Sequence, residues 1–240
     1  MIQVEQRGSY LKIQQNGGFI RIKGPYVNYI GYEGYGSWVR KGENLYLQLG
    51  EEGTEVWVND VLVGVFSIHL KSQTIGKVPV YGEVNGYGKV IEAFQNLIKE
   101  NLKIFLHPSP GWPIQVIKNF QTHDYWPSGR EEIHITQEEI FFPFNLTHEL
   151  GHHIDLHLES KKKKEVRMRW WELKREGVRL EMLSEAHVFG LYPLEIGKAE
   201  EDPAEMFASA VSAAALAPKE SDAYKLAQEV LKGIVEIPRV

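Results

Sequence analysis

The chain has 240 residues, of which 43% are hydrophobic, and a formal net charge of −5. This length is sufficient for one large domain, or for a well-cored domain with a smaller one, and the charge provides no basic face of the kind that binds nucleic acid. With no cysteine, disulfides, thiolate metal sites and cysteine nucleophiles are excluded, so nitrogen and oxygen atoms must hold any metal.

Residues 1–76 predict a β-rich module. Residues 19–23 and 45–49 alternate apolar and polar side chains, which is typical of half-buried strands. Residues 56–63 predict a hairpin with Asn59-Asp60 in its tight turn. We expect the segment 24–38, rich in glycine and tyrosine, to be loop or irregular strand. The role of this module is open.

Residues 77–240 predict a second unit that changes from mixed α/β to helical. Residues 79–88 contain a proline and three glycines, and we interpret them as a linker or entry loop. A helix over 89–101 and short strands over 102–106 and 130–136 follow. Later helices are expected over 165–176, 179–189, 203–216 and 221–234. The order predicts an α+β fold, with the β-rich module ahead of this unit.

The segment that begins at Pro143 predicts a helix with one apolar face. Apolar side chains recur every four residues over 146–158, and Pro143 suits a first-turn position because its missing N–H has no partner there. The basic run 161–164 follows. We interpret it as the solvated end of this helix, where cations complement the helix dipole.

This helix carries the sequence His148-Glu149-Leu150-Gly151-His152. Helical positions i and i+4 lie one turn apart on the same side, so His148 and His152 can direct two imidazoles at one point. Zinc accepts imidazole nitrogen at ~2.0–2.1 Å. Glu149, about 100° around the helix, would take a proton from a zinc-bound water. The motif predicts one Zn²⁺ ion, with Glu149 as the general base.

Three neighbouring side chains could support this site. Asp155 lies three residues after His152, where it would hydrogen-bond a ligand imidazole or act as an ordinary polar residue. His153 and His157 are off the ligand face, and we expect them at the surface or beside the ligands rather than on the metal.

A third ligand must come from elsewhere in the chain. Asp155 and Leu158 stand where the extended His-Glu-x-x-His-x-x-Gly-x-x-His motif has Gly and His, which excludes that family. Glu205 is the preferred ligand, because it lies beside Met206 and Phe207 and an unpaired carboxylate would be costly to bury there. The alternatives are Glu181, Glu185 and Glu201, with Glu185 the next choice.

Residues 148–155 together with residues 204–210 resemble the catalytic domain of anthrax lethal factor and its relatives, including the secreted Pro-Pro endopeptidases. Those proteins are zinc endopeptidases of the gluzincin group. The resemblance covers roughly residues 88–235 and implies a zincin-like catalytic domain. It also implies that His148, His152 and Glu205 bind zinc, that Glu149 is the base and that Asp155 is a matching motif position.

One position departs from the pattern of these relatives. They carry a tyrosine about seven residues before the ligand Glu, where it helps to stabilise the tetrahedral intermediate, and here that position is Lys198. Tyr192 is the nearest tyrosine upstream, and a longer loop would be needed to bring it to the metal. Tyr192 as the electrophile and Tyr192 as a packing residue both remain open, and Lys198 itself is the lesser alternative.

These features predict a zinc-dependent endopeptidase acting on a peptide or protein. We expect the substrate to lie extended along an edge strand formed by Ile133, His134 and Ile135, with residues 123–127 in the cleft wall or packed as a loop. One alternative is a catalytically lapsed, metallopeptidase-like binding protein whose β module binds a partner. Another is a zinc hydrolase acting on a non-peptide substrate.

Location and assembly are not fixed by the sequence. No signal peptide is visible at the N-terminus, which leaves a cytoplasmic location and a secreted mature form both open. No apolar run approaches the ~20 residues of a membrane-spanning helix. The oligomeric state is open.

Overall fold

The computed structural model describes residues 2–15, 19–23, 27–28, 37–38, 44–49, 53–99, 101–108, 123–126, 131–136, 143–188 and 198–240. The chain divides into two compact units. The first comprises residues 1–72, 81–83 and 106–122, and the second comprises residues 73–80, 84–105 and 123–240. Helices and sheets occur together, so the expected α+β class is confirmed.

The first unit contains two four-stranded sheets. Its strands are β1 Ile2–Arg7, β2 Tyr10–Gln15, β3 Phe19–Lys23, β4 Val27–Asn28, β5 Ser37–Trp38, β6 Asn44–Leu49, β7 Thr54–Val58 and β8 Val61–Phe66. The strand orders are β1-β2-β6-β4 and β5-β3-β7-β8, with antiparallel neighbours. Alternate residues of β2, β3 and β7 point inward and, with Leu49 of β6 and Ile68, form one apolar core.

The predicted hairpin is present as β7 and β8. Its two turn residues, Asn59 and Asp60, have φ values of 47° and 64°. Left-handed backbone at both central positions gives the turn a twist that matches the flanking strands, and asparagine and aspartate tolerate it well. The sequence signal was therefore specific. In the segment 24–38, β4 and β5 are short strands, and the other residues lie outside the described ranges.

A five-stranded sheet, most of whose residues belong to the second unit, has the order β12-β13-β11-β10-β9. Its strands are β9 Ser72–Ile75, β10 Val78–Gly82, β11 Lys103–His107, β12 His123–Trp126 and β13 Glu132–Thr136. The interpretation of residues 79–88 as a linker is wrong for their first part, since β10 runs through them. Val78 and Val80 alternate inward and are buried, and this burial outweighs the proline between them.

The helices of the second unit are α1 Tyr87–Phe94, α2 Phe144–His157, α3 Ser160–Arg175, α4 Glu185–Val188, α5 Pro203–Leu216 and α6 Asp222–Leu231. Single 3₁₀ turns lie at Leu180–Leu183 and Lys198–Glu200. The helix predicted over 179–189 is thus two short pieces, because Ser184 between them is extended. No helix in the described ranges is long and apolar enough to cross a membrane.

The largest helix contact is between α2 and α5, and α5 also packs against α6. On its other side α2 contacts β12 and β13. α5 begins where predicted, because Asp202 caps it by accepting hydrogen bonds from the backbone N–H groups of Ala204 and Glu205. Residues 206–215 of this alanine-rich helix are all buried. Small side chains therefore let α5 lie at the centre of the unit with a neighbour on each side.

The lysine run 161–164 lies in the first turn of α3, so its interpretation as the end of the preceding helix is wrong. The chain leaves helical conformation at Leu158, whose ψ is 145°, and re-enters it at Ser160. Lys163 Nζ nevertheless donates to the carbonyl of Leu156 at 2.7 Å, so one cation does bind the last turn of α2 through space.

Candidate metal centre

The two helices that carry the candidate ligands, α2 and α5, pack so closely that their backbones are in contact at Gly151 and Ala208. A Cβ built on Gly151 would lie 2.6 Å from the Cα of Ala208, so a side chain has no room there. One turn away, Thr147 Oγ1 donates to the carbonyl of Phe144 at 2.8 Å and lies 3.0 Å from Ser212 Oγ, inside the same interface. This close approach places Glu205 opposite the histidine face of α2.

Four ligand atoms from three residues converge at the interface. His148 Nε2 is 3.2 Å from Glu205 Oε2 and 3.2 Å from His152 Nε2, and His152 Nε2 is 3.5 Å from Glu205 Oε1. Ligands at ~2.0–2.1 Å from a tetrahedral zinc are about 3.3–3.4 Å apart. The triangle therefore has the dimensions of a zinc site with two imidazoles and one carboxylate, a set that can hold a metal.

The protonation states available to His148, His152 and Glu205 are also compatible with a bound cation. Each neutral imidazole can donate from Nε2 to Glu205 or, with its proton on Nδ1, present a lone pair to a cation, and the carboxylate offers only lone pairs. Burial alone would raise the pKa of Glu205, but hydrogen bonds and charge from His148 and His152 outweigh it and hold the pKa well below its usual range. Glu205 is thus ionised, as a metal ligand must be.

Of the four glutamates considered as third ligand, Glu205 is the one in this cluster. Glu181 pairs with Arg179, and Glu201 is exposed. Glu185 is the first residue of α4. The argument that a carboxylate beside Met206 and Phe207 needs a cationic partner agrees with the burial of both apolar neighbours.

Glu149 and Asp155 flank the histidines on α2. Glu149 is only 7% exposed, and carboxylates are rarely buried to this extent unless they are paired. Burial raises the pKa of Asp155, while the charges of Lys163 and His152 oppose that rise. Asp155 is close enough to act on His152. His148 Nδ1 is buried without a hydrogen-bond partner among the described residues, so Asp155 does not bind it.

Of the two candidates for the electrophile, Tyr192 and Lys198, only the backbone of Lys198 is within the described residues. Tyr192 lies outside the described residues. The backbone of Lys198 begins the 3₁₀ turn that precedes α5.

The expected substrate strand is wrong in one respect. β13 is not an edge strand, because β12 pairs with it antiparallel, with His123 opposite Ile135 and Trp126 opposite Glu132. Ile133 and Ile135 are fully buried, and the ring of His134 stacks on Phe105 with centroids 4.6 Å apart. The three side chains belong to the core of the sheet. Residues 123–126, interpreted as loop or cleft wall, form the edge strand instead.

A second cluster lies on a different side of α2. Glu131 Oε2 is 3.1 Å from His157 Nε2 and 3.5 Å from His153 Nδ1, and Glu131 adopts a left-handed backbone with φ of 41°. His153 is fully buried, so the expectation of a surface histidine is wrong. The i, i+4 spacing of the two histidines was visible in the sequence, but the distant Glu131 was not.

The atoms of Glu131, His153 and His157 are close enough to hold a metal ion. The hydrogen bonds of His153, however, disfavour a metal ion there. The backbone N–H of Lys99 donates to His153 Nε2 at 3.1 Å, so in the neutral ring the proton is on Nδ1, facing Glu131. Burial and the charge of His157 lower the pKa of His153 to about 4, which keeps the ring neutral. His153 therefore ties α2 to Lys99, and Glu131 joins the same histidine to Asn101.

No family model, curated protein or solved structure matches this chain.

Proposed function

We propose that this protein is a zinc-dependent endopeptidase in which His148, His152 and Glu205 bind one zinc ion. The observation that carries the proposal is the convergence of their ligand atoms within 3.2–3.5 Å of one another across the α2–α5 interface. Two residues from one helix turn and one from a helix 57 positions later meet with the donor set and spacing that zinc prefers.

Zinc held in such a site lowers the pKa of a water towards ~7 and polarises a substrate carbonyl. Glu149 directly follows His148 on α2 and is the base that takes a proton from the attacking water. The same carboxyl group then passes the proton to the leaving amine. Its burial keeps competing solvent away from that transfer. Tyr192, or else Lys198, donates a hydrogen bond to the developing oxyanion.

The edge strand β12 supports a peptide as the substrate. Among the described strands, β12 is the terminal one of its sheet, and it also contacts α2, the helix of the two histidines. An edge strand offers unpaired backbone groups, so an extended peptide can add to it through main-chain hydrogen bonds. This arrangement favours a peptide bond over the bonds of a small non-peptide molecule.

The test is a peptide-library digest by zinc-loaded wild type and by Glu149→Gln, read by mass spectrometry beside metal analysis. Glu220→Gln, an exposed residue outside the site, is the matched control. We expect one zinc per chain in all three proteins, and cleavage by wild type and Glu220→Gln only. Cleavage by Glu149→Gln would reject the assignment of the base. Zinc binding without cleavage by wild type would favour the non-catalytic binding protein.

A further inference from the structure

Helix α3 presents a regular row of side chains to solvent. Lys161, Lys164, Met168, Trp171 and Arg175 follow one another at intervals of three, four, three and four residues, and all are exposed. At 100° per residue they fall within about 80° of the helix circumference. The buried residues of α3, Val166, Trp170 and Leu173, lie on the other side. We call the exposed row the α3 stripe.

The centre of the α3 stripe is apolar. Trp171 is 66% exposed and Met168 is 57% exposed, which is unusual for two large apolar side chains one turn apart. Trp171 is also held in place, since its ring packs edge-on against Trp170 at 4.8 Å, and Trp170 Nε1 donates to the carbonyl of Ala199 at 3.1 Å. A large aromatic side chain that is already ordered loses little entropy on binding.

The ends of the α3 stripe carry cations that form no ion pair with the other described residues. Lys161, Lys164 and Arg175 form no ion pair with any other described residue. Other cations of α3 behave differently. Lys162 donates to the carbonyl of Ile234, Lys163 to that of Leu156, Arg169 to carbonyls near the end of α6, and Lys174 pairs with Glu200. The helix thus divides its cations into a set that fastens the fold and a set that faces solvent.

We propose that the α3 stripe binds an acidic amphipathic helix of a partner protein. Alternating steps of three and four residues describe the seam between two packed helices, which is narrower than the apolar face of a helix that packs on a domain core. The matching partner helix carries apolar side chains opposite Met168 and Trp171. It carries Asp or Glu near Lys161 and Lys164 at one end and near Arg175 at the other.

Charge complementarity selects this occupant over the alternatives. A second copy of α3 packed antiparallel about Met168 would set Lys161 of one chain against Arg175 of the other, and a parallel copy would set lysine against lysine. An anionic membrane surface would satisfy the cations. However, helices that lie in a membrane surface bury a broad apolar face, and the stripe offers two side chains.

The test is a selection from a displayed library of helical peptides with randomised positions on one face. The full chain serves as bait, and the double variant Lys161→Glu/Arg175→Glu serves as a second bait. We expect wild type to enrich peptides with apolar residues at three–four spacing and Asp or Glu at both ends. The double variant should enrich Lys or Arg at the Arg175 end, where the charge is reversed, and should lose the preference for Asp or Glu at the other end, where the new carboxylate offsets Lys164.

The affinity of the best selected peptide for wild type and for single variants then separates the contribution of Trp171 from that of the cations. Trp171→Ala should weaken binding at least ~10-fold, as expected for a central aromatic anchor. Each charge reversal should weaken binding by a few-fold, with a dependence on salt. Lys219→Glu, an exposed cation elsewhere, should change nothing. Circular dichroism and zinc content of each variant verify that the fold is retained.

Three results would overturn the proposal. The first is a selection without enrichment, and the second is enrichment of peptides that bind Trp171→Ala as tightly as wild type. The third is binding to phosphatidylserine vesicles that requires Trp171, without binding to any acidic helix, which would make the stripe a lipid contact.

Discussion

Gly151 and Ala208 lie in direct contact, and this contact sets the distance between the two helices that supply the candidate ligands. A Cβ at position 151 would be 2.6 Å from the Cα, 3.1 Å from the Cβ and 3.1 Å from the carbonyl oxygen of Ala208. Gly151 directly precedes His152, and Ala208 is three residues after Glu205, almost one turn along α5. Packing and ligand geometry are therefore coupled through the same helix turns.

Gly151→Ala is expected to weaken both the fold and metal binding. Alanine is the better helix former by about 1 kcal/mol, but an overpacked core costs about 1–3 kcal/mol, and here the obstacle is backbone that cannot rotate away. The helices must separate, so Glu205 moves from the imidazoles. We expect a lower free energy of unfolding in urea without metal, and zinc affinity reduced at least tenfold.

A second substitution makes this test specific. Adding Ala208→Gly to Gly151→Ala removes the methyl group of residue 208, but the backbone of α5 still lies 2.6 Å from the new side chain, so we expect it not to restore zinc affinity. A Gly151→Ala protein that is more stable than wild type and binds zinc equally well would show that the interface is looser than the structure has it.

Removal of the third ligand should separate metal binding from folding. Glu205→Gln keeps the size of the side chain but loses the charge, so zinc affinity should fall by more than the ~10–100-fold typical of a residue that only supports a ligand. Isothermal titration with a competing chelator measures this change. Glu201→Gln, an exposed neighbour, should bind zinc as wild type does.

Chelation of the wild type should lower its stability by mass action. At a free zinc concentration about 1,000 times the Kd, binding contributes about 4 kcal/mol to the native state, and chelator removes it. Calorimetry with and without chelator should show this loss in wild type, while Glu205→Gln should respond far less. An equal response in both proteins would show that the bound zinc lies elsewhere.

The correction at the sheet edge gives a test of substrate placement. Ile133→Ala should destabilise the protein by ~2–5 kcal/mol, because the side chain is fully buried, and should leave KM unchanged at low temperature. Peptides with N-methylated backbone near the cleaved bond should instead show a raised KM, since they cannot complete hydrogen bonds to β12. A raised KM in Ile133→Ala, together with normal binding of the methylated peptides, would indicate that the substrate contacts β13 and not β12.

Much of the site was predictable because its signals are local. His148 and His152 are four residues apart on one helix, and the start of α5 is marked by Asp202, Pro203 and a run of small residues. The burial argument for Glu205 used its apolar neighbours, and they are indeed buried. In each case a few adjacent residues carry the whole pattern.

Other expectations failed where tertiary pairing decides the outcome. Nothing within residues 132–136 tells whether another strand will cover them, so the interior position of β13 depends on β12. Glu131 likewise reaches His153 from 22 residues away, through a left-handed backbone that local propensity opposes. The lysine run was misplaced because two extended residues, Leu158 and Glu159, end one helix and let the next begin.

The identity of the oxyanion donor can be resolved by two variants. If Tyr192 donates the hydrogen bond, Tyr192→Phe should lower kcat by ~10²–10³ with unchanged zinc content, because only the transition state loses a partner. If Tyr192 only packs, kcat should remain within a few-fold of wild type, and Lys198→Met should show the large loss instead. Retention of kcat in both variants would exclude both residues.

The buried ring of His153 predicts a characteristic dependence of stability on pH. Its pKa is about 4 in the folded chain, against about 6.5 when unfolded, with burial as the largest cause. Between these values the unfolded state binds more protons, so the free energy of unfolding falls as pH decreases from 6.5 to 4. The loss from this one group amounts to about 3 kcal/mol at the acid end.

His153→Gln isolates this contribution. Glutamine can still accept the Lys99 N–H and donate to Glu131, but it does not titrate, so the variant should lose much less stability over the same pH range. Urea unfolding with chelator present measures both proteins, and other titrations then cancel in the comparison. His157→Gln removes the second cause of the lowered pKa of His153, so its loss of stability should be smaller than that of wild type but larger than that of His153→Gln. Equal slopes in His153→Gln and wild type would mean that the ring has the same pKa in the folded and unfolded chain, which would contradict the effect of burial.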